Sequence, residues 1–274
     1  MTISIHITTK DRPAELALLL QSLRTQTYQD WDLVILDESD NKIENFFHIS
    51  MLFNRICLEG HGLNIIKNER SYGVCAARQK LIDEDYFEND FICRLDDDVI
   101  IESDYLERLM NVLKKGYDIA SGVTPSLGNP GLIRQNYRID PIINKKEIDQ
   151  DGYLVVNNDD CGVRYLDEGI YTTHEFRSCA LFKKEVFKKI NYPKNLSVVG
   201  FREEGFISLS AQMEGFKIGV DVQAIAWHFQ SPLGGCRYPD YPQKVQSDDK
   251  YFKKWIKENK EKLKWMMTKN HSKK

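Results

Sequence analysis

Several things this chain lacks narrow it first. Its six cysteines, Cys57, Cys75, Cys93, Cys161, Cys179 and Cys236, are scattered along 274 residues and form no Cys-x-x-Cys pair. That argues against a disulfide framework or a cysteine zinc site, suits a reducing compartment, and leaves the cysteines as small core residues. No apolar run approaches the roughly 18–20 residues that a bilayer-spanning helix needs. No basic leader precedes the first strand-like stretch, so no signal peptide is expected and the chain reads as cytoplasmic. Neither charge sign dominates: 38 Lys and Arg against 41 Asp and Glu give a formal net charge of -3, with no general case for nucleic-acid binding. The rest is an ordinary globular composition, 42% hydrophobic and 29% charged. The length suffices for one large α/β domain or two small ones.

Hydrophobic periodicity organises the first half. Ile3 to Thr8 is β-branched and strand-like; Asp11 is placed to cap a helix and Pro13 to open it. Leu16, Leu19, Leu20 and Leu23 then recur on one helical face. Further strands are expected at Trp31–Asp37, Leu63–Lys67, Phe91–Leu95 and Tyr117–Gly122, with helices at Gly73–Ile82 and Tyr105–Leu113. Helical character returns from Lys183 and over Glu204–Glu214, where Gly215 can close the helix, and Ala224–Phe229 follows as an apolar strand. The alternation predicts an α/β fold, a mostly parallel central sheet with helices on both faces. Ligands in such sheets bind at the carboxyl ends of the strands, where Thr8, Asp37 and Asp96 lie.

Four features could carry chemistry. In FICRLDDDVI an apolar strand delivers Asp96, Asp97 and Asp98 into a turn. Adjacent carboxylates raise one another's pKa unless a cation relieves them, and hard divalent ions take carboxylate and phosphate oxygens; a solvated acidic turn is the plainer alternative. Glu203 and Glu204 precede a helix, where carboxylates either complement the macrodipole or, in a site, take and orient a hydroxyl proton. His228 follows an apolar strand as a ligand or a packed ring, and in NERSYGVCAAR Gly73, Ala76 and Ala77 leave room for a ligand that Arg78 could face.

Taken in order, TTKDRP, QTYQDWDLVILDES, NERSYGVCAARQ, RLDDDV, then REE with GFKI and WHF, the chain resembles the family 2 glycosyltransferases of the GT-A fold from Ile3 to about Gln230. The distance from Glu203 to Gly215-Phe216 repeats the family's spacing between its acidic pair and a Gly-aromatic pair. The resemblance implies an inverting transfer from a nucleotide-diphosphate sugar, UDP-sugar by default, to a hydroxyl of a glycan or lipid-linked acceptor. It implies that Thr8, Lys10, Asp37, Glu38, Arg78 and Asp96 contact the nucleotide. It gives Asp98 of the Asp-x-Asp pattern and His228 to Mn²⁺ or Mg²⁺, and places Glu204 where the family's base stands. The family usually has Asp there; one more methylene shifts a carboxylate by about 1.5 Å, so Glu203 and Glu204 both stay candidates for the base. LDESD replaces the usual VDDGS, and Lys10 an aromatic.

A sugar-1-phosphate nucleotidyltransferase would call for a glycine-rich loop after the first strand, which TTKDRP is not. A non-catalytic nucleotide-sugar-binding protein would lack the carboxylates. The expected organisation is a catalytic domain over residues 1–235, nucleotide-binding to about 122 and acceptor-binding from about 123, followed by a basic extension over 236–274. The acceptor wall is expected near residues 124–175. The Lys-rich stretch Tyr251–Lys274, with Phe252, Trp255, Ile256, Leu263, Trp265 and Met266, either packs its aromatics on the catalytic domain or makes a peripheral contact with the inner face of a membrane.

Overall fold

The computed structural model describes residues 1–128, 169–173, 175–176, 178–236 and 239–263. Most of the segment expected to form the acceptor wall, and the tail beyond residue 263, lie outside the described residues.

The first half alternates as expected: β1 (Ile3–Thr9), α1 (Pro13–Arg24), β2 (Trp31–Asp37), α2 (Phe47–Leu58), β3 (Leu63–Lys67), α3 (Val74–Glu84), β4 (Phe91–Asp96), β5 (Val99–Ile101), α4 (Tyr105–Lys114) and β6 (Ile119–Val123). β7 (Ile170–Thr173), β8 (Ala180–Lys183), α5 (Glu203–Met213), β9 (Ile218–His228) and α6 (Tyr241–Glu258) follow. Hydrogen bonding orders the sheet β3-β2-β1-β4-β8-β6-β9-β5, with β7 on β9. β3, β2, β1, β4, β6 and β9 run one way, while β8, β7 and β5 are antiparallel to their neighbours.

Helices cover both faces. Ile3, Ile5, Ile7, Leu33, Ile35 and Leu95 pack against Leu16, Leu19, Leu20 and Leu23 of α1, Phe53 of α2 and Leu109 of α4. On the opposite face Val34 and Leu36 meet Ala77 and Leu81 of α3, and Ala180, Phe182, Ile119 and Ile218 meet Ile207 and Ala211 of α5. Burial on both faces is why these strands read as continuous apolar runs.

Several local expectations need correction. Asp11 does not cap α1: it sits at φ +55 and its carboxylate accepts from the Asp40 amide at 2.9 Å, and the residue ahead of the helix is Arg12. The helical signal at Lys183 resolves into the end of β8 and a 3₁₀ turn, Lys184–Lys188. β9 starts six residues before Ala224, the three-residue β5 is too short to show a period, and the sequence reading passed over α2, although its Ile49, Phe53 and Ile56 recur on one buried face. Gly215 does end α5, at φ +92, with its amide on Gln212 and that of Phe216 on the Ala211 carbonyl, a Schellman closure. Cys75, Cys93 and Cys179 are buried, whereas Cys57 is exposed.

α6 begins ten residues before the amphipathic tail stretch and is spent on the fold. Its Phe252 and Ile256 are buried with Leu263, Phe206 and Leu209. Among the described residues no helix is long and apolar enough to cross a membrane.

Candidate active site

Pairing within the sheet assembles the site. β1 lies between β2 and β4, so Thr9 pairs with Asp37 and Thr8 with Asp96 at the carboxyl ends of three parallel strands. β5 turns back from the aspartates and pairs Val99 with His228. This brings the end of β9 beside Asp98, and the Phe229 amide donates to the Asp98 carbonyl at 2.9 Å.

The three aspartates differ. Asp97 is buried; it accepts from the Thr9 hydroxyl at 2.9 Å and from Arg12 Nη1 at 2.8 Å. Burial pushes its carboxyl up to about 6, with the Asp98 charge adding to the rise while Arg12 and Thr9 pull the other way. Asp98 is also buried, and burial alone would raise it; the hydrogen bond and charge of His228, then Arg12 and the Ser231 amide, hold it below the usual carboxylate range. His228 Nε2 is 3.1 Å from Asp98 Oδ1, and the Ser231 amide 3.2 Å from Oδ2. Burial opposes the imidazolium, but Asp98 and then Asp96 raise the His228 pKa overall. Asp96 is half-buried and accepts from Arg78 Nη2 at 2.7 Å.

Asp96, Asp98 and His228 each offer one ligand atom, and these atoms lie within 4.8 Å of one another. Two carboxylate oxygens and an imidazole nitrogen at the edge of a cleft form a donor set that suits Mg²⁺ or Mn²⁺. Asp96, expected only at the nucleotide, thus joins the cluster that the resemblance implies for Asp98 and His228.

The Glu pair sits across the cleft at the start of α5. Glu203 is buried, accepts from Arg94 Nη1 at 3.0 Å and pairs with Arg78. Glu204 keeps 28% of its side-chain surface exposed and accepts from Arg94 Nη2 at 3.1 Å. Arg94, in the buried strand β4, also donates to the Ser178 carbonyl at 2.7 Å. Sequence reasoning passed over this arginine, although a cation inside a buried strand demands partners. Arg12 was missed as well: it bridges Asp97 and Asp98 and donates through Nε to the Leu233 carbonyl at 2.8 Å.

The cleft holds about 360 Å³, and Thr8, Lys10, Glu38, Arg78, Glu204 and His228 all line it. Glu38 also accepts from the Ser71 hydroxyl at 2.6 Å and Asn68 Nδ2 at 3.2 Å, tying the end of β2 to the loop before α3. Asp37 is turned inward: its oxygens accept from the Ser39 and Ile43 amides at 2.9 and 3.0 Å, and it does not line the cleft.

The sequence model of glycosyl transferase family 2 matches residues 4–191, more than half of the chain. The chain belongs to this family. As a family 2 glycosyltransferase it has the GT-A fold, which it shares with solved structures at low identity. Staphylococcus aureus TarS 1-349 in complex with UDP-GlcNAc superposes with a TM-score of 0.57 at 15% identity, over 82% of this chain and 57% of that one. Mannosyltransferase PcManGT from Pyrobaculum calidifontis, in complex with GDP-Man and Mn²⁺, gives 0.56 at 12%, over 84% and 57%. GalNAc-T7 with UDP, GalNAc and Mn²⁺ gives 0.60 at 16%, over 83% and 44%. This family 2 member therefore spans about half the length of these proteins. No curated protein sequence matches it.

Proposed function

We propose that the chain is a metal-dependent, inverting glycosyltransferase that moves a sugar from a nucleotide-diphosphate donor to an acceptor hydroxyl in glycan or polysaccharide synthesis. One observation carries this reading: the Asp96–Asp98–His228 cluster and the Glu204 carboxylate open onto the same cleft.

Asp98 and His228, joined by Asp96, would hold Mn²⁺ or Mg²⁺. Such an ion, when bound, offsets the charge that builds on a leaving diphosphate. Thr8, Lys10, Glu38 and Arg78 line the cleft on the donor side. Asp37 contributes indirectly, by fixing the turn that follows β2.

Glu204 is the better placed of the two bases. Both Glu203 oxygens are committed to buried arginines, whereas the Glu204 carboxylate is partly exposed and oriented by Arg94. In that role it takes the proton of the acceptor hydroxyl as the oxygen attacks the anomeric carbon from the face opposite the nucleotide, which inverts the configuration. Two of the three structural relatives carry uridine nucleotides and the third a guanosine one, so a UDP-sugar is the donor to try first. The acceptor class is a glycan or lipid-linked hydroxyl; membrane contact is no part of the reading, because Phe252 and Ile256 are buried on α5.

Turnover of a nucleotide-sugar panel with Mn²⁺, and with EDTA, tests this, with the product anomer read by NMR. Metal-stimulated transfer with inversion is expected. A retained anomer, or equal turnover in EDTA, overturns it.

A further inference from the structure

Helix α5 begins on a backbone that needs outside support. The residue before it, Arg202, has φ +74, a left-handed conformation costly for a long side chain. α5 has no side-chain cap of its own. Support comes from α6, far beyond the segment that the family model matches. Arg202 Nε and Nη2 both lie 3.0 Å from Asp249 Oδ1, with the guanidinium 4.8 Å from the centre of the Phe201 ring.

The neighbouring Asp248 does more. It is 1% exposed, and three donors of one loop converge on it: the Ser197 amide at 2.6 Å, the Ser197 hydroxyl at 2.8 Å and the Phe201 amide at 2.9 Å. The same loop grips α3. The Val74 amide donates to the Val198 carbonyl at 3.0 Å, and a Cβ on Gly73 would lie 2.5 Å from Val198 Cα. The loop then hands the chain to α5 through the Glu203 amide, 3.1 Å from the Gly200 carbonyl. One carboxylate thus sets the loop between α3, which carries Arg78, and α5, which carries Glu203 and Glu204. Docking of α6 does not require it, since Phe252 and Ile256 already pack on Phe206 and Leu209. A buried carboxylate with three directed acceptor contacts fixes register, which apolar packing leaves loose.

We infer that Asp248 is a positioning residue for the catalytic carboxylate: it holds the Ser197–Arg202 loop so that Glu204 faces the donor cleft. This rests on the assignment of Glu204 as base, and the experiment separates the two. In Asp248→Asn one of the two oxygens becomes an NH2 group, which cannot accept from the backbone amide that it faces, that of Ser197 or that of Phe201. Hydrogen exchange of the 197–204 amides, read by mass spectrometry, should rise at least tenfold while that of β1 and β2 stays unchanged. Transfer with the donor selected from the panel should lose at least tenfold in kcat, with donor KM and UDP binding in Mn²⁺ within threefold, because Thr8, Glu38, Asp96 and His228 stand on or beside strands outside the loop and Asp96 holds Arg78 of α3 independently of it.

Unchanged exchange in 197–204, or faster exchange there with kcat intact, overturns the proposal. If the wild-type chain turns over no donor, the functional reading fails, and the exchange measurement alone still decides whether Asp248 holds the loop. Should the Asn variant not fold, Ser197→Ala removes one of the three donors and is read the same way, with a smaller rise in exchange and a smaller loss in kcat. Its failure to change either overturns the proposal.

Discussion

His228 Nε2 stands 3.1 Å from Asp98 Oδ1 although 130 residues separate the two. The contact follows from sheet topology: β5 leaves the aspartate turn and pairs antiparallel with the last residues of β9. An imidazole and a carboxylate so placed, with Asp96 beside them, either share a proton or share a cation. With UDP and Mn²⁺, Asp98→Ala is expected to abolish metal-dependent nucleotide binding by calorimetry. His228→Ala is expected to weaken it at least tenfold. Equal binding by the Asp98 variant and the wild type would remove the metal from the proposed mechanism.

The two glutamates should separate in their failures. Glu204→Gln keeps an oxygen for Arg94 but cannot take a proton, so kcat is expected to fall roughly 10²–10⁴-fold with little change in melting temperature. Glu203→Ala withdraws the partner of two buried arginines, and removing one side of a buried pair costs about 3–5 kcal/mol. That variant should unfold at lower denaturant whatever its kinetics. A Glu204→Gln enzyme with wild-type turnover rules Glu204 out as base.

Much of this was legible beforehand, for physical reasons. Strands buried on both faces announce themselves as apolar runs, and Leu16, Leu19, Leu20 and Leu23 recur on one face of α1 because that face is covered. The aspartates, the Glu pair and His228 stood out as polar groups at the ends of apolar elements. What stayed hidden was pairing across the fold. Nothing local to FICRLDDD says that Arg94 will meet Glu203 and Glu204, more than a hundred residues away. Nothing near TTKDRP says that Arg12 will lie between Asp97 and Asp98. Asp11 misled because Asp ahead of Pro is a common helix opening, whereas here the residue enters a left-handed turn and serves Asp40.

Arg12 gives a further test. Its guanidinium fork meets Asp97 at 2.8 Å, Asp98 at 3.2 Å and the Leu233 carbonyl at 2.8 Å. Arg12→Ala leaves the buried Asp97 without its cation and Asp98 with His228 alone, and a loss of about 3 kcal/mol is expected in urea unfolding. Arg12→Lys should recover little of it, because a point-charge ammonium cannot span carboxylates and carbonyl together. Full recovery by lysine would reduce the role of Arg12 to simple charge.

A second buried pair sets a pH dependence of stability. His6 Nε2 lies 3.0 Å from Asp85 Oδ2, inside the fold. Burial lowers the His6 pKa below 6.5, with the Lys184 charge adding to the fall and Asp85 opposing it. Burial pushes Asp85 the other way, but its hydrogen bond from His6 and the His6 charge bring it below the ordinary carboxylate value. Both folded values are depressed, so the unfolded chain takes up protons first as the solution is acidified. The contribution is complete above about 6.5 and is lost as the pH falls, first through His6 and then, below about 4, through Asp85. Urea midpoints measured between pH 7.5 and 5 should drop more steeply for the wild type than for His6→Gln; parallel slopes would assign the acid sensitivity elsewhere.

Phe252 decides how much of the domain's stability comes from α6. Its ring is 2% exposed, sits 4.9 Å from Phe206 centre to centre, and occupies the space where a Cβ on Gly205 would come within 2.8 Å. Phe252→Ala should cost about 3–5 kcal/mol, the usual range for emptying a buried aromatic site. Gly205→Ala should destabilise the same contact from the other side by overpacking, about 1–3 kcal/mol. If the two act on one contact, the double variant loses less than the sum of the single losses, since alanine at 205 fills part of the space that Phe252 leaves. Strict additivity in urea unfolding would mean that α6 and α5 do not meet through this ring.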